Sequence, residues 1–187
     1  MPYIQHRTVL KRFNAHDNEV IDYFDPCSDL LNDEYRYEVV ISYMFSRIEI
    51  AHREVLYFGV VKLHEVDSKL ARTIINEYDL QRGDFRTKFE QIYGYRMPSE
   101  LREKIESAEK VRDRILHGKK NKEAGDMGRA ILDTMDYLSG LNDLLYDNSG
   151  IWIAGDRRGM MGSRASHSKA TSKWILMGMG LIKPPKA

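Results

Sequence analysis

The feature that most constrains this chain is the stretch from residue 35 to residue 64, which holds no proline and a single glycine. Within it Tyr37, Ile41, Met44, Ile48, Ala51, Val55 and Phe58 recur at alternating spacings of four and three. That repeat aligns side chains along one face of an α-helix. One helix over the whole stretch would extend roughly 45 Å. A second apolar line, Val40, Tyr43, Ile50, Tyr57 and Val61, runs beside the first and is interrupted by Arg47 and Glu54. So wide a face needs two partners to cover it, one of which a second subunit can supply.

The rest of the chain reads as further helices. Residues 67–78 are periodic and are predicted to stop near Gly83, where glycine permits the left-handed backbone that ends helices. Residues 85–93 form a shorter helix, and Gly94 and Pro98 mark a break. Pro98 or Ser99 opens a strong helix with an inward stripe of Leu101, Ile105, Ala108, position 112 and Ile115, closing at Gly118. Residues 118–128 read as a polar connection. A last helix, 129–146, puts Ile131, Met135, Leu138, Leu141 and Leu145 on one face before Asp147, Asn148, Ser149 and Gly150 stop it. The predicted fold is all-α, an up-and-down bundle of about four main helices. Its parts are an irregular N-terminal extension (1–28), a helical domain (29–150) and an irregular basic tail (151–187). Residues 1–28 suit a short strand or a helical turn, and Trp174, Ile175, Leu176 and Met177 suit docking on the core or on a partner.

A chain of 187 residues, 42% of them apolar, can bury one real core and is short for two. Its one cysteine, Cys27, can form no intramolecular disulfide, and no thiolate metal site is expected. No cofactor is expected either. No apolar segment follows Met1 and no run is long enough to cross a bilayer, so a cytoplasmic protein with no membrane partner is expected. The charge is uneven: residues 151–187 sum to +6 and residues 1–150 to −5. Such a tail suits either a polyanion such as RNA or its own acidic body.

The helix that closes at Gly118 carries Arg112 where its apolar stripe calls for Leu or Ile. A guanidinium at such a position needs a carboxylate partner or an opening into a solvated groove. Glu49 and Glu54 of the long helix are the candidate partners. His117 lies five residues on, about 140° around the axis and roughly 7.5 Å along it. One regular helix therefore keeps the two side chains apart. They converge if the last turn unwinds at Gly118, or if a second copy of the helix lies across a two-fold axis. A histidine at a helix C-terminus also has a plain role, favourable interaction with the helix dipole.

The string Val111-Arg112-Asp113-Arg114-Ile115-Leu116-His117-Gly118 is similar to the signature of HEPN-family ribonucleases: an Arg, a polar residue, three variable residues and a His, late in a helix of a small helical domain. By helix pattern the resemblance covers residues 30–147, and by identity only the signature. It implies a bundle of about four helices, commonly a dimer with a composite site, that cleaves RNA without a metal. The same spacing recurs at Arg47 and His52, but without a polar residue after the Arg or a Gly after the His, and inside a long helix. That copy reads as structural, with Arg47 and Glu49 as possible supporting residues of the site. Some family members carry a Tyr two residues after the His; here Lys119 stands there, so regulation by modifying that Tyr is not implied.

The resemblance assigns catalytic roles to Arg112, His117 and Asp113. His117 would act as general base or acid on the ribose 2′-hydroxyl, and Arg112 would hold the scissile phosphate. Asp113 would orient one of them. The products would be a 2′,3′-cyclic phosphate and a 5′-hydroxyl, and DNA would not be cut. Arg114, Lys119, Lys120 and Lys122 would attract the RNA backbone, or form an ordinary solvated surface. The substrate would be tRNA, mRNA or rRNA, and the role that of a toxin or antiviral nuclease with an antitoxin or regulatory partner. The alternative is a non-catalytic helical module for dimerisation or for RNA or nucleotide binding. The sequence contains no phosphate-binding Gly-x-x-x-x-Gly-Lys loop, no His-Glu-x-x-His helix and no Cys-x-x-Cys pair.

Overall fold

A computed structural model of the chain describes residues 5–32, 37–118, 124–155 and 166–182. Among the described residues the protein is all-helical, with nine helices and no strand. None of these helices is long and apolar enough to cross a membrane. By contact the chain divides into two units, the first Met1–Glu49, Pro98–Asn148 and Ala154–Asp156, the second Ile50–Met97, Ser149–Ile153 and Arg157–Ala187.

The first unit contains α1 (His6–Phe13), α2 (Asn18–Tyr23), α3 (Cys27–Asn32), the first half of α4 (Tyr37–Lys62), α7 (Ser99–Leu116) and nearly all of α8 (Ala124–Ser149). Two of these, α1 and α2, lie in the N-terminal region 1–28 expected to be irregular, and α3 begins at its end. They are short amphipathic pieces anchored by Val9, Phe13, Val20, Phe24, Cys27 and Leu31, all essentially buried. The α8 face expected from the periodicity is buried as a set, Ile131, Met135, Leu138, Leu141 and Leu145. This helix starts at Ala124, earlier than predicted, so Gly128 is helical. A Cβ there would come 2.7 Å from Val9 Cγ2, and only glycine lets α1 and α8 approach that closely. Asp136 ties three segments together, accepting from Lys104 Nζ at 3.0 Å and pairing with His16 at 3.3 Å. The hydrogen bond from His16, with the bond and charge of Lys104, holds its carboxyl down at about 2, against the opposing effect of burial.

The second unit contains the rest of α4, then α5 (Ser68–Glu77), α6 (Arg82–Tyr93) and α9 (Lys169–Gly178). Here the predicted helix stop at Gly83 is corrected. Gly83 lies in the first turn of α6, and α5 ends before it, at an extended Tyr78. The reason is a side chain: Arg53 Nη1 donates to the carbonyls of Ile75 (2.8 Å) and Tyr78 (2.9 Å), satisfying the end of α5 without a glycine. Against α6, Gly59 of α4 is in closest contact, since a Cβ would sit 2.4 Å from Ile92 Cγ2 and 2.9 Å from the Tyr93 ring. Part of the tail expected to be irregular is helix α9, which packs on α5. Ser172 and Leu176 are buried, Ser172 Oγ accepts from the Asp67 amide, and Lys88 Nζ donates to the carbonyl of Met179 at 2.8 Å. Of the run 174–177, Leu176 docks while Trp174 stays 72% exposed.

Along α4 all seven residues of the predicted main stripe are buried. The second line is only partly so: Val40 and Val61 are buried, whereas Ile50 is 43% exposed. Phe45, Leu56 and Val60 complete the buried set in its place.

Candidate functional site

α7 is the element that carries the signature. Its buried face is Ile105, Ala108 and Val111, one residue off the predicted stripe at its C-terminal end. Arg112 consequently sits at the margin of that face, its side chain 18% exposed. Its guanidinium lies 5.8 Å from the centre of the Phe45 ring. Nη2 reaches Glu49 Oε1 at 3.4 Å and Nη1 reaches Asp113 Oδ1 at 3.6 Å. Nε is buried and has no hydrogen-bond partner.

Of the two carboxylates expected as partners for Arg112, it is therefore Glu49 that meets it. Glu54 instead pairs with Arg72, and the contrast between the two arginines is informative. Arg72 engages Glu54 through both terminal nitrogens, at 2.5 and 3.3 Å, and stacks 3.5 Å from the centre of the Tyr57 ring. That is a committed structural pair. Arg112 has two longer contacts, neither within the 2.7–2.9 Å usual for a charge-assisted bond, and one is to a Glu49 side chain that is 60% exposed. Its fork is held in place without being saturated.

His117 is the C-cap of α7, with φ −85° and ψ 11°. Its amide still bonds to the carbonyl of Asp113 at 3.0 Å, and only Gly118, at φ +61°, leaves the helical path. The last turn thus stays wound through His117, and the helix keeps the 140° separation between Arg112 and His117. His117 is exposed, as is Arg114. The structure brings together Arg112, Asp113 and Glu49, and leaves His117 on another side of the helix.

Arg47 belongs to a different contact. Its Nε donates to the carbonyl of Tyr23 at 3.0 Å, its guanidinium lies 4.4 Å from the Tyr23 ring centre, and the Tyr23 hydroxyl donates to the Arg47 carbonyl at 2.9 Å. This reciprocal clamp fastens α2 to α4. His52, the other half of the duplicate spacing, stacks on Phe85 with ring centres 3.7 Å apart, and burial depresses its imidazole to about 3. Cys27 is buried, and burial together with the neighbouring Asp25 raises its thiol to about 12, which removes it as a nucleophile. Lys119, Lys120 and Lys122 lie outside the described residues, as do Arg157, Arg158, Arg164, Lys183 and Lys186 of the tail.

Sequence reasoning missed two cations beside the signature. Lys110 of α7 and Arg129 of α8 line, with Arg114, a cavity of about 210 Å³ between the two helices. In the sequence Lys110 is one of several charges on a polar helix face, and nothing marks Arg129 as its neighbour.

Protein-family models, curated proteins and solved structures were all compared with the chain, and none matches it.

Proposed function

We propose that this protein is a metal-independent endoribonuclease of the HEPN type, with Arg112 and His117 as its catalytic pair and Asp113 as a positioning residue. The observation that carries the reading is the state of Arg112: mostly enclosed, aimed by Glu49 and Asp113, yet held by contacts too long to use up its donors. A phosphate, with its charge and paired oxygens, is the ligand that such a fork binds better than it binds a half-exposed carboxylate. In the reaction the imidazole of His117 accepts the proton of the ribose 2′-hydroxyl. O2′ then bonds to phosphorus, the P–O5′ bond breaks, and O5′ takes up a proton from water, to which the imidazole later returns its own. Arg112 offsets the charge gathering on the phosphoryl oxygens.

Because α7 stays regular through His117, the two groups meet on one phosphate most simply when a second copy supplies one of them. A homodimer with composite sites belongs to this proposal. So do the HEPN-like bundle of about four helices and the choice among tRNA, mRNA and rRNA. A toxin or antiviral role with an antitoxin or regulatory partner goes with it too.

A second reading, a non-catalytic helical module for dimerisation or RNA binding, is favoured by the Arg112–Glu49 ion pair itself. Incubating total RNA with wild-type and His117→Ala protein in EDTA separates the two. The nuclease reading expects fragments from the wild type alone; intact RNA with both proteins folded would sink it and leave the module.

A further inference from the structure

Spacing along α7 divides its cations into two sets. Lys110, Arg114 and His117 stand at intervals of four and three and so share one face of the helix, whereas Arg112 is about 140° away from His117. The face that carries Lys110 and Arg114 is also the face on which α7 meets the α8 residues of the 210 Å³ cavity. Lys110 and Arg114 come to it from α7, Arg129 from α8, and Ser107 adds a hydroxyl. Asp126 and Asp133 line it as well, which leaves the lining with one net positive charge. Lys110 and Arg114 are both exposed and so reachable from solvent.

We infer that this α7–α8 cavity is a phosphate subsite for single-stranded RNA, lying two helical turns behind His117 on the same face. The inference rests on the nuclease reading for its ligand. Its basis is placement: three cationic side chains from two helices converge on one concavity, and the same face leads directly to the histidine that would act on the ribose. A backbone phosphate seated between Lys110, Arg114 and Arg129 would orient the strand along α7 so that a neighbouring ribose reaches His117. The two carboxylates limit the site to one phosphate and oppose accumulation of further anionic ligands. Arg112, on the other side of α7, would take the scissile phosphate of a strand presented by the second copy.

The test is RNA binding by the full-length His117→Ala protein, which cannot cleave under this account. Anisotropy of a fluorescein-labelled single-stranded RNA is followed against protein concentration at several salt concentrations. A Lys110→Gln/Arg114→Gln variant in that background should bind about tenfold or more weakly, with the slope of log K against log salt reduced in magnitude by about one, as expected for the loss of one phosphate contact. Lys110→Arg/Arg114→Lys should restore binding, since it keeps both charges. Equal affinity and slope for the glutamine variant and its parent would overturn the subsite, as would no RNA binding by the parent. Cleavage assays in the wild-type background keep the two claims apart. Cleavage with unchanged KM in the glutamine variant discards the subsite and leaves the nuclease. Lost binding without cleavage by any protein retains the subsite as a binding feature and discards the nuclease.

Discussion

His52 gives a quantitative handle on the second unit. Stacked on Phe85 and half-buried, its imidazole is depressed by burial from 6.5 to about 3. As pH falls below 6.5 the unfolded chain takes up a proton at this residue and the folded chain does not, so the unfolded state gains. The stability His52 contributes is therefore fully present above pH 6.5 and is lost as pH falls towards 3, at a limiting slope of about 1.4 kcal/mol per pH unit. Between pH 6 and pH 4 the loss integrates to about 2.5 kcal/mol. Urea unfolding followed by circular dichroism at a series of pH values measures it directly. His52→Phe keeps a ring against Phe85 and removes the titration, so its stability should fall by about 2.5 kcal/mol less than that of the wild type over this interval. The carboxylates common to both proteins cancel in that difference. His52→Gln serves as a second variant if the larger ring overpacks. Identical pH dependence in wild type and both variants would refute the reasoning, because it would mean that His52 takes up its proton in the folded protein.

Three further outcomes are expected. Gly59→Ala should destabilise by about 1–3 kcal/mol in urea melts, because the new methyl would meet Ile92 and the Tyr93 ring at distances no repacking of α4 alone can relieve. Arg112→Ala should abolish RNA cleavage while costing only about 1 kcal/mol of stability, since its partner Glu49 is largely exposed; an intact cleavage rate would remove Arg112 from the mechanism. Mixing Arg112→Ala with His117→Ala protein, each inactive alone, should restore about a quarter of wild-type activity, because half the dimers are mixed and one of their two sites is whole. No restoration under conditions of subunit exchange would place both residues of a site in one copy.

Long elements were legible in the sequence because their periodicity repeats many times. The seven-residue stripe of α4 and the five-residue face of α8 are buried as read. The short N-terminal helices were not, since six to eight residues span about two turns and their stability comes from distant contacts such as those of Phe13 and Phe24. Gly83 misled because the end of α5 is satisfied by Arg53, a residue from another helix that no local rule can foresee. At the candidate site, Arg112 stood out as a charge on an apolar stripe, and its partner Glu49 was among the two carboxylates named. Of the duplicate spacing, Arg47 lies over the Tyr23 ring and His52 stacks on Phe85. The Lys110 and Arg129 cavity was invisible, because it exists only once α7 and α8 are packed side by side.

The most direct test of the nuclease is the chemistry of the ends it leaves. RNA digested by the wild-type protein in EDTA, then analysed by mass spectrometry, should carry 2′,3′-cyclic phosphates opposite 5′-hydroxyls. A substrate with a single 2′-deoxy residue at the cleaved position should survive. Fragments with 5′-phosphates, or cleavage at the 2′-deoxy position, would contradict attack by the 2′-hydroxyl and the role of His117 with it.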